Sequence, residues 1–130
     1  MEISQRVKIF IGSLILTLLV IRIFLFVFPS TNLNLGKYNI HHLFIGAFLI
    51  VVLVLFFIFN IINNFIIVLA GIGSALVLDE TVYLIASDGS DASYLSSVSL
   101  FGAIILTGII FILAIILYNL QKHKLKEWKK

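Results

Sequence analysis

The sequence predicts an all-α integral membrane protein, a four-helix bundle of transmembrane spans with both termini in the cytoplasm. Hydrophobic residues make up 62% of the 130 positions and charged residues only 12%, against about half and about a quarter in soluble domains. The apolar residues form four runs, each near the roughly 20 residues that cross about 30 Å of hydrocarbon. Strands would need only half that length and would alternate in polarity, so helices are expected.

The four predicted spans occupy residues 7–28, 41–59, 62–86 and 96–119, and residues 120–130 form a basic tail. Turn residues separate the spans: Pro29 ends the first, residues 60–64 form a tight link, and residues 87–91 precede the fourth. The first run follows Arg6 and Lys8 as a secretory signal would. It is too long for a signal and lacks a small-residue cleavage site, so we expect an uncleaved span in a single transmembrane domain.

The distribution of Lys and Arg predicts the orientation. Basic residues precede the first span and follow the fourth, whereas the loop after the first span holds only Lys37 and the last loop holds only acids. Both termini are therefore expected on the cytoplasmic side of a prokaryotic inner membrane. Tyr38, Tyr83 and Tyr94 are expected at the outer interface. The basic tail is expected to anchor the last span, and binding of anionic lipid headgroups is the alternative.

Several chemistries are excluded or weakly indicated. The chain has no cysteine, which excludes disulfides and thiolate sites. No nucleic-acid-binding pattern accompanies the net charge of +3, so no nucleic-acid partner is expected. Residues 88–91 lack the further ligands of a calcium loop and are expected to form a polar turn. Ser96, Ser97 and Ser99 allow a serine nucleophile activated by His42, but helix capping by Ser96 is the favoured interpretation.

The polar residues inside the spans converge on one depth near the outer face. Arg22 lies about six residues, roughly 9 Å, below the end of the first span. Asp79 and Glu80 lie about seven residues, roughly 10 Å, below the end of the third. His41 and His42 begin the second span. An arginine, two histidines and two carboxylates are thus expected in one layer, where any function is to be sought.

Helix periodicity assigns faces to these residues. One stripe of the third span combines small residues with a carboxylate and is expected at a helix interface: Gly71, Ala75, Asp79 and Tyr83. His42 and Gly46 are also four residues apart, so His42 is expected to point inward and His41 to lie at the edge. Gly73, Gly102 and Gly108 are expected to serve helix packing.

The layer has a structural interpretation. An ion pair between Arg22 and either Asp79 or Glu80 would neutralise charges that are costly inside a membrane, and it would hold the first and third spans together. His41 and His42 would then lie in the wet interface without a special partner.

The functional interpretation is a metal or proton-handling site open to the outer face. The candidate metal ligands are His41, His42, Asp79 and Glu80, a set that suits Zn²⁺, Fe or Mn and leaves a position for activated water. Asp79 and Glu80 are the candidate catalytic residues, and Arg22, Tyr83 and Tyr94 are the candidate substrate-binding residues. The remaining histidine, His123, is expected on the opposite side of the membrane.

Three short motifs carry a resemblance to known sequences: His41-His42-Leu43-Phe44-Ile45-Gly46, Gly71-Ile72-Gly73 and Leu78-Asp79-Glu80. Together they resemble a pattern in small, mostly uncharacterised prokaryotic four-span integral membrane proteins. The resemblance covers the second and third spans and supports the choice of site residues. It implies no activity.

Two classes of function therefore remain open. One is a metal-dependent enzyme embedded in the membrane that acts on a lipid or another amphiphile, with Arg22 orienting an anionic headgroup. The other is a channel, transporter subunit or assembly partner in which the cluster is a proton or cation relay, or only a structural ion pair. Four short helices leave little room for a transport pathway, an objection that a homo-oligomer would remove.

Overall fold

The computed structural model of the chain describes residues 2–29, 31, 34–35, 38–88 and 90–127. Its elements in chain order are α1 (Ile3–Val27), β1 (Asn34–Leu35), β2 (Tyr38–Asn39), α2 (His42–Ile58), α3 (Asn64–Ala86), α4 (Asp91–Tyr94) and α5 (Ser97–Glu127). The predicted all-α bundle is confirmed, since the strands of this part are two residues each and form one small antiparallel pair. Lys37, the Tyr38 side chain and residues 128–130 of the predicted tail lie outside the described part.

Three helices are long and apolar enough to cross a membrane, namely α1, α3 and the Ser97–Lys124 part of α5. They make the chain a membrane protein. Helix α2 is equally apolar but has only 17 residues. At 1.5 Å per residue it is about 25 Å long, somewhat less than the roughly 30 Å of a hydrocarbon core. The predicted second span corresponds to α2, which is shorter than α1, α3 and α5.

Helix α3 is the centre of the bundle. It packs against α1, α2 and α5, whereas in the described part the main chain of α1 approaches α5 only sparsely and that of α2 does not closely approach either helix. Many large apolar side chains of α1, α2 and α5 consequently face outward, where a bilayer would cover them. The two buried carboxylates of α3, Asp79 and Glu80, are thus surrounded by protein on several sides.

Small residues allow α3 to approach its neighbours closely. A Cβ atom at Gly71 would lie 2.6 Å from the carbonyl oxygen of Phe10 in α1, and a Cβ at Gly46 would lie 2.6 Å from the carbonyl oxygen of Gly73. The predicted interface stripe is confirmed, because all its members are buried: Gly71, Ala75, Asp79 and Tyr83. The same helix therefore uses one glycine against α1 and another against α2.

The two glycines of α5 behave differently from each other. A side chain at Gly102 would collide with Val82 of α3, which confirms the predicted packing role of this glycine. Nothing lies within 4 Å of the Cβ position at Gly108. The expectation that Gly108 packs the last span is wrong, because the space at its Cβ position is open.

The contacts along α3 fix the helix directions. Phe10 and Arg22 of α1 lie beside Gly71 and Asp79 of α3, respectively, so α1 and α3 run in the same direction. Helix α2 runs the opposite way, because its first residue, His42, is the one that reaches Asp79. Helix α5 starts where α3 ends and packs back along it. The start of α1 and the end of α5 therefore lie at one end of the bundle.

Two caps join α2 to α3 through a short link. Asn60 has a φ of 56°, and the N–H of Ile61 donates to the carbonyl of Phe56 at 2.9 Å, which is a Schellman arrangement at the end of α2. The side chain of Asn63 then accepts from the N–H of Ile66 at 3.0 Å and caps the start of α3. The predicted tight link thus reverses the chain within a few residues.

Side-chain hydrogen bonds also order the loop between α3 and α5. The Asp88 carboxylate accepts from the N–H of Ser90 at 3.1 Å and from its hydroxyl at 2.8 Å, and these bonds hold the pKa of Asp88 below its usual value. This is the predicted polar turn. The Ser96 hydroxyl accepts from the N–H of Ser99 at 3.3 Å, which confirms capping of α5 by Ser96.

Candidate functional site

The polar site lies at the end of the bundle where α1 and α3 finish and α2 begins. The structure brings together all seven residues predicted for the site: Arg22, His41, His42, Asp79, Glu80, Tyr83 and Tyr94. Each side chain is buried or partly buried. Helix α3 supplies the two carboxylates, α1 the arginine, the start of α2 the histidines, and α4 adds Tyr94.

Arg22 ties four helices together. Its Nε donates to Asp79 Oδ1 at 2.6 Å, and its Nη1 donates to the carbonyl oxygen of Tyr94 at 3.0 Å. Its Nη2 donates to the Ser99 hydroxyl at 3.0 Å and to the main-chain carbonyl of Asp79 at 3.2 Å. The guanidinium also lies 4.5 Å from the centroid of the Tyr94 ring. Arg22 therefore forms the ion pair of the structural interpretation, and its partner is Asp79.

Asp79 is fully buried, and both of its carboxylate oxygens are hydrogen-bonded. Oδ1 accepts from Arg22, while Oδ2 accepts from the hydroxyl of Tyr94 and lies 3.1 Å from Nε2 of His42. A buried carboxylate is tolerated only when a cation and several donors compensate for its lost hydration. This residue has both kinds of partner.

Glu80 caps helix α2 from the neighbouring helix. Its Oε2 accepts from the main-chain N–H of Leu43 at 2.7 Å, one of the amides that a helix start leaves unpaired. Its Oε1 lies 2.9 Å from Nδ1 of His41. Helix α2 has no cap from its own sequence, since the His41 side chain makes no capping hydrogen bond. The carboxylate of Glu80, only 4% exposed, supplies both the acceptor and the favourable negative charge there.

His42 bridges the two carboxylates. Its Nε2 lies 3.1 Å from Asp79 Oδ2, and its Nδ1 lies 3.4 Å from Glu80 Oε1. A neutral imidazole carries a proton on only one nitrogen, so its other lone pair would face a carboxylate oxygen. A proton on that nitrogen or on the facing carboxyl group removes this repulsion. His42 thus lies between the two carboxylates, with one ring nitrogen directed at each of them.

His41 is the member of the site with a free ring nitrogen. Its Nδ1 faces Glu80, and Nε2 has no hydrogen-bond partner among the described residues. Its side chain is 24% exposed, against 20% for His42. The expected contrast between an inward His42 and a peripheral His41 is thus small. The alternative in which both histidines lack a special partner is wrong, because each faces a carboxylate.

Tyr83 and Tyr94 are site residues rather than members of an outer aromatic belt. They are 3% and 6% exposed, and their rings meet edge to face with centroids 5.3 Å apart. The Tyr83 hydroxyl donates to the carbonyl of Ser90 at 3.4 Å, and the Tyr94 hydroxyl donates to Asp79. Burial raises the pKa of Tyr94, and the Asp79 carboxylate raises it further. The rings do not face lipid headgroups as belt residues do, because both are buried and α4 folds Tyr94 inward over Asp79. Their depth at the outer interface stays a prediction.

A half-open cleft of about 250 Å³ adjoins the cluster between α1 and α2, with α3 at its floor. Its polar end is formed by His41, His42, Glu80, Tyr83 and Tyr94. Its apolar walls include Ile21, Phe24, Leu25, Ile45, Leu76 and Leu95. Arg22 and Asp79 lie behind this surface and do not line the cleft. Glu80 and the histidines thus face the cleft, while the Arg22–Asp79 pair lies behind them.

The predicted metal site gains no support from this arrangement. Within residues 2–29, 31, 34–35, 38–88 and 90–127, no group of three or more His, Asp or Glu side chains is arranged to hold a metal ion. The nitrogens of His42 are both directed at carboxylates that would have to turn away to share a cation with it. A divalent metal at His41, His42, Asp79 and Glu80 stays a prediction.

Two partners in the site were not predicted from the sequence. The Leu43 amide could not be foreseen, because it enters through the main chain. Ser99 is fully buried, and its hydroxyl accepts from Arg22 rather than approaching His42, so its interpretation as a His42-activated nucleophile is wrong. The spacing of Ser99 and Ala103 at four residues was the available signal, since both are small and buried on α5.

The fold and the site together define a class: a helical membrane protein with a hydrogen-bonded cluster of arginine, carboxylates and histidines at one end of its bundle. Comparison with known proteins finds no matching family model, curated protein or solved structure. The resemblance to small four-span membrane proteins stays a prediction.

Proposed function

We propose that this chain is a multi-pass membrane protein that binds a lipid-like amphiphile in the cleft between α1 and α2, with His41 and Glu80 as an acid/base pair at its headgroup. The observation that carries the proposal is the cleft itself, which joins apolar walls to a polar end holding His41, His42 and Glu80. Ligand sites in proteins combine mostly apolar walls with a few convergent polar groups in this way.

The position of the cleft suits a molecule that arrives from the bilayer. Helix α2 packs on α3 without a close main-chain approach to α1, and two residues of the cleft walls, Phe24 and Ile45, are 46% and 43% exposed. An alkyl chain can lie against Phe24 and Ile45 and continue into lipid. Its headgroup then reaches the polar end without any charged group having to cross the hydrocarbon core.

The pairing of Glu80 with His41 supports a role in proton transfer. A carboxylate that faces Nδ1 of a histidine favours the tautomer with the proton on that nitrogen, which leaves Nε2 as the basic atom. The Nδ1 to Oε1 distance of 2.9 Å meets this requirement, and His41 lines the cleft. Nε2 can then accept a hydrogen bond from a bound headgroup, which is the contact that general-base catalysis requires.

A relay across the whole membrane is less well supported. In the described part of the chain, the buried residues beyond the cluster, toward the other end of the bundle, are apolar, for example Leu14, Leu53, Ile66 and Ala75. A relay would need a chain of polar groups or water through that region. The hydrogen-bonded chain instead runs laterally, from Ser99 through Arg22 and Asp79 to the histidines.

The orientation that we propose follows the charge distribution. Arg6, Lys8, Lys122 and Lys124 are at the end opposite the cluster, so the positive-inside rule puts that end in the cytoplasm and the cluster toward the outer face. Helix α2 then crosses as a fourth, short span, because it connects the outer end of α1 to the inner end of α3. The lysines at the end of α5 are positioned to contact anionic headgroups.

Photoaffinity labelling tests the proposal. The probes are single-chain amphiphiles of equal length with a diazirine in the chain and an alcohol, an amine or a carboxylate as headgroup, added to protein in phosphatidylcholine nanodiscs. Ile45→Trp fills the cleft, and Val51→Trp is the matched control on the outward face of α2, where Val51 is 64% exposed. We expect at least one probe to label cleft residues, with labelling reduced about tenfold in Ile45→Trp only. Equal labelling of cleft residues in wild-type protein, Ile45→Trp and Val51→Trp would contradict the proposal.

A further inference from the structure

The chemistry of the polar end also indicates which headgroup the cleft takes. We infer that the ligand is an amphiphile whose headgroup donates a hydrogen bond and carries no negative charge, as a long-chain alcohol or a long-chain amine does. This inference rests on the proposed function and concerns the same cleft.

The charged groups that reach the cleft surface disfavour an anion. Glu80 lines the cleft, whereas Arg22 does not. The Arg22 guanidinium is held by Asp79, by Ser99 and by the Tyr94 carbonyl, so its donors are directed into the protein. A carboxylate or phosphate headgroup would therefore meet a carboxylate without meeting the arginine that normally recognises such groups.

The hydrogen-bonding groups at the polar end lead to the same result. The hydroxyl of Tyr94 donates to Asp79, and that of Tyr83 donates to the carbonyl of Ser90. The Glu80 oxygens accept from the Leu43 amide and face His41. The groups left for a ligand are Nε2 of His41 and the hydroxyl of Thr31, which also lines the cleft and can both donate and accept. With the proton held on Nδ1 by Glu80, Nε2 is an acceptor and requires a donor from the headgroup.

The expectation that Arg22 orients an anionic headgroup is replaced by this assignment. Arg22 fixes Asp79, and Asp79 positions His42 beside Glu80. Arg22 therefore influences the ligand indirectly, because it fixes the position of Asp79 and, through Asp79 and His42, that of Glu80 at the cleft.

The three probes of equal chain length distinguish the headgroups in one experiment. In each sample, labelling of cleft residues on α1 and α2 is divided by labelling of the outward-facing Phe48 and Val51. This ratio corrects for the different partitioning of the probes into the nanodisc. We expect the alcohol or the amine to exceed the carboxylate by about tenfold in the wild-type protein. A larger amine signal identifies a cationic headgroup, and a larger alcohol signal identifies a neutral one.

His41→Phe keeps a planar ring and removes the acceptor nitrogen, so it tests the assigned acceptor, with unfolding temperature as the check on folding. We expect this substitution to reduce the headgroup preference to within about twofold while labelling of the cleft persists, because the chain still fits the unchanged walls. A carboxylate signal equal to or above the other two in wild-type protein overturns the inference alone. Absence of cleft labelling above the Ile45→Trp background with every probe overturns the proposed function as well.

Discussion

Asp79 Oδ1 lies 2.6 Å from Arg22 Nε, and this pair joins α1 to α3 within the membrane-spanning part of the chain. The carboxylate is fully buried, whereas the arginine side chain is 14% exposed. Neither charge could remain in that position alone, because an uncompensated charge inside a membrane is costly. The pair thus specifies how α1 and α3 align, and through Asp79 it also determines where the histidines of α2 dock.

Removal of either charge should destabilise the protein strongly. Arg22→Met leaves Asp79 without its cation, and Asp79→Leu leaves Arg22 without its anion, so each should cost about 3–5 kcal/mol of unfolding free energy. The double variant should lose less than the sum, because it leaves neither of these two charges unpaired. Denaturant unfolding in detergent micelles measures the four proteins of this cycle. Additive losses would show that the two charges do not depend on each other.

A substitution at the α1–α3 contact should distinguish tight packing from lipid-facing surface. Gly71→Leu inserts a side chain where the Phe10 carbonyl lies within 2.6 Å of the Cβ position, and a loss of about 2 kcal/mol or more is expected. Gly108→Leu is the matched control, since nothing lies within 4 Å of its Cβ position. Thermal unfolding in micelles compares them. Similar unfolding temperatures for the two variants would argue against the direct contact between α1 and α3.

The sequence predicted the apolar helices and the layer of polar residues because both follow from the cost of charge and main-chain polarity in lipid. Glycine spacing likewise predicted the interface of α3. The details of the layer depend on tertiary geometry. The stripe of small residues assigns Asp79 to a helix interface, but it does not show which neighbouring helix supplies the partner, and Glu80, about 100° around the helix, was the alternative partner of Arg22.

The surroundings of the two buried tyrosines show where pattern reasoning fails. Tyr94 is predicted at the membrane interface because aromatic residues are frequent there. The short helix α4 folds it inward over Asp79, where its hydroxyl satisfies a buried carboxylate. Glu80 is similar, since its role as the cap of α2 depends on an amide from another helix. Such pairings between elements leave no periodic trace in a sequence.

Tyr94 should resist ionisation in alkaline solution. Burial raises the pKa of its hydroxyl, and Asp79 raises it further, so the folded state binds this proton more tightly than the unfolded state does. The resulting stabilisation is complete below the ordinary tyrosine pKa of about 10 and declines as the pH rises above it. Phenolate absorbance, recorded against pH for wild-type protein and for Tyr94→Phe, measures the ionisation of Tyr94.

We expect the two titrations to coincide until the protein unfolds at high pH. In Tyr94→Phe, the stability should fall less steeply above about pH 10, because the linked proton is absent. Tyr118→Phe is the control, since that ring lies near the other end of α5. A phenolate signal from Tyr94 in folded protein near its ordinary range would contradict the buried hydrogen bond to Asp79.

The proposed orientation can be tested with single cysteines, because the natural chain has none. Asp88→Cys lies in the exposed loop near the cluster, and Lys124→Cys lies at the far end of α5. We expect a membrane-impermeant maleimide to label the first in intact cells and the second only after permeabilisation, in accordance with the positive-inside rule. The reverse pattern would put the cluster on the cytoplasmic side.

The most direct test of the account is the distance from a bound headgroup to His41. Long-chain alcohol with a ¹³C head carbon is added to nanodiscs that contain protein with ¹⁵N-labelled histidine, and dipolar-recoupling NMR measures carbon–nitrogen distances. A hydroxyl that donates to Nε2 puts the head carbon within about 4 Å of that nitrogen. We expect such a coupling in wild-type protein and its loss in His41→Phe. A coupling that persists in His41→Phe, or a bound alcohol without coupling to any histidine, would contradict the assignment of His41 as the headgroup acceptor.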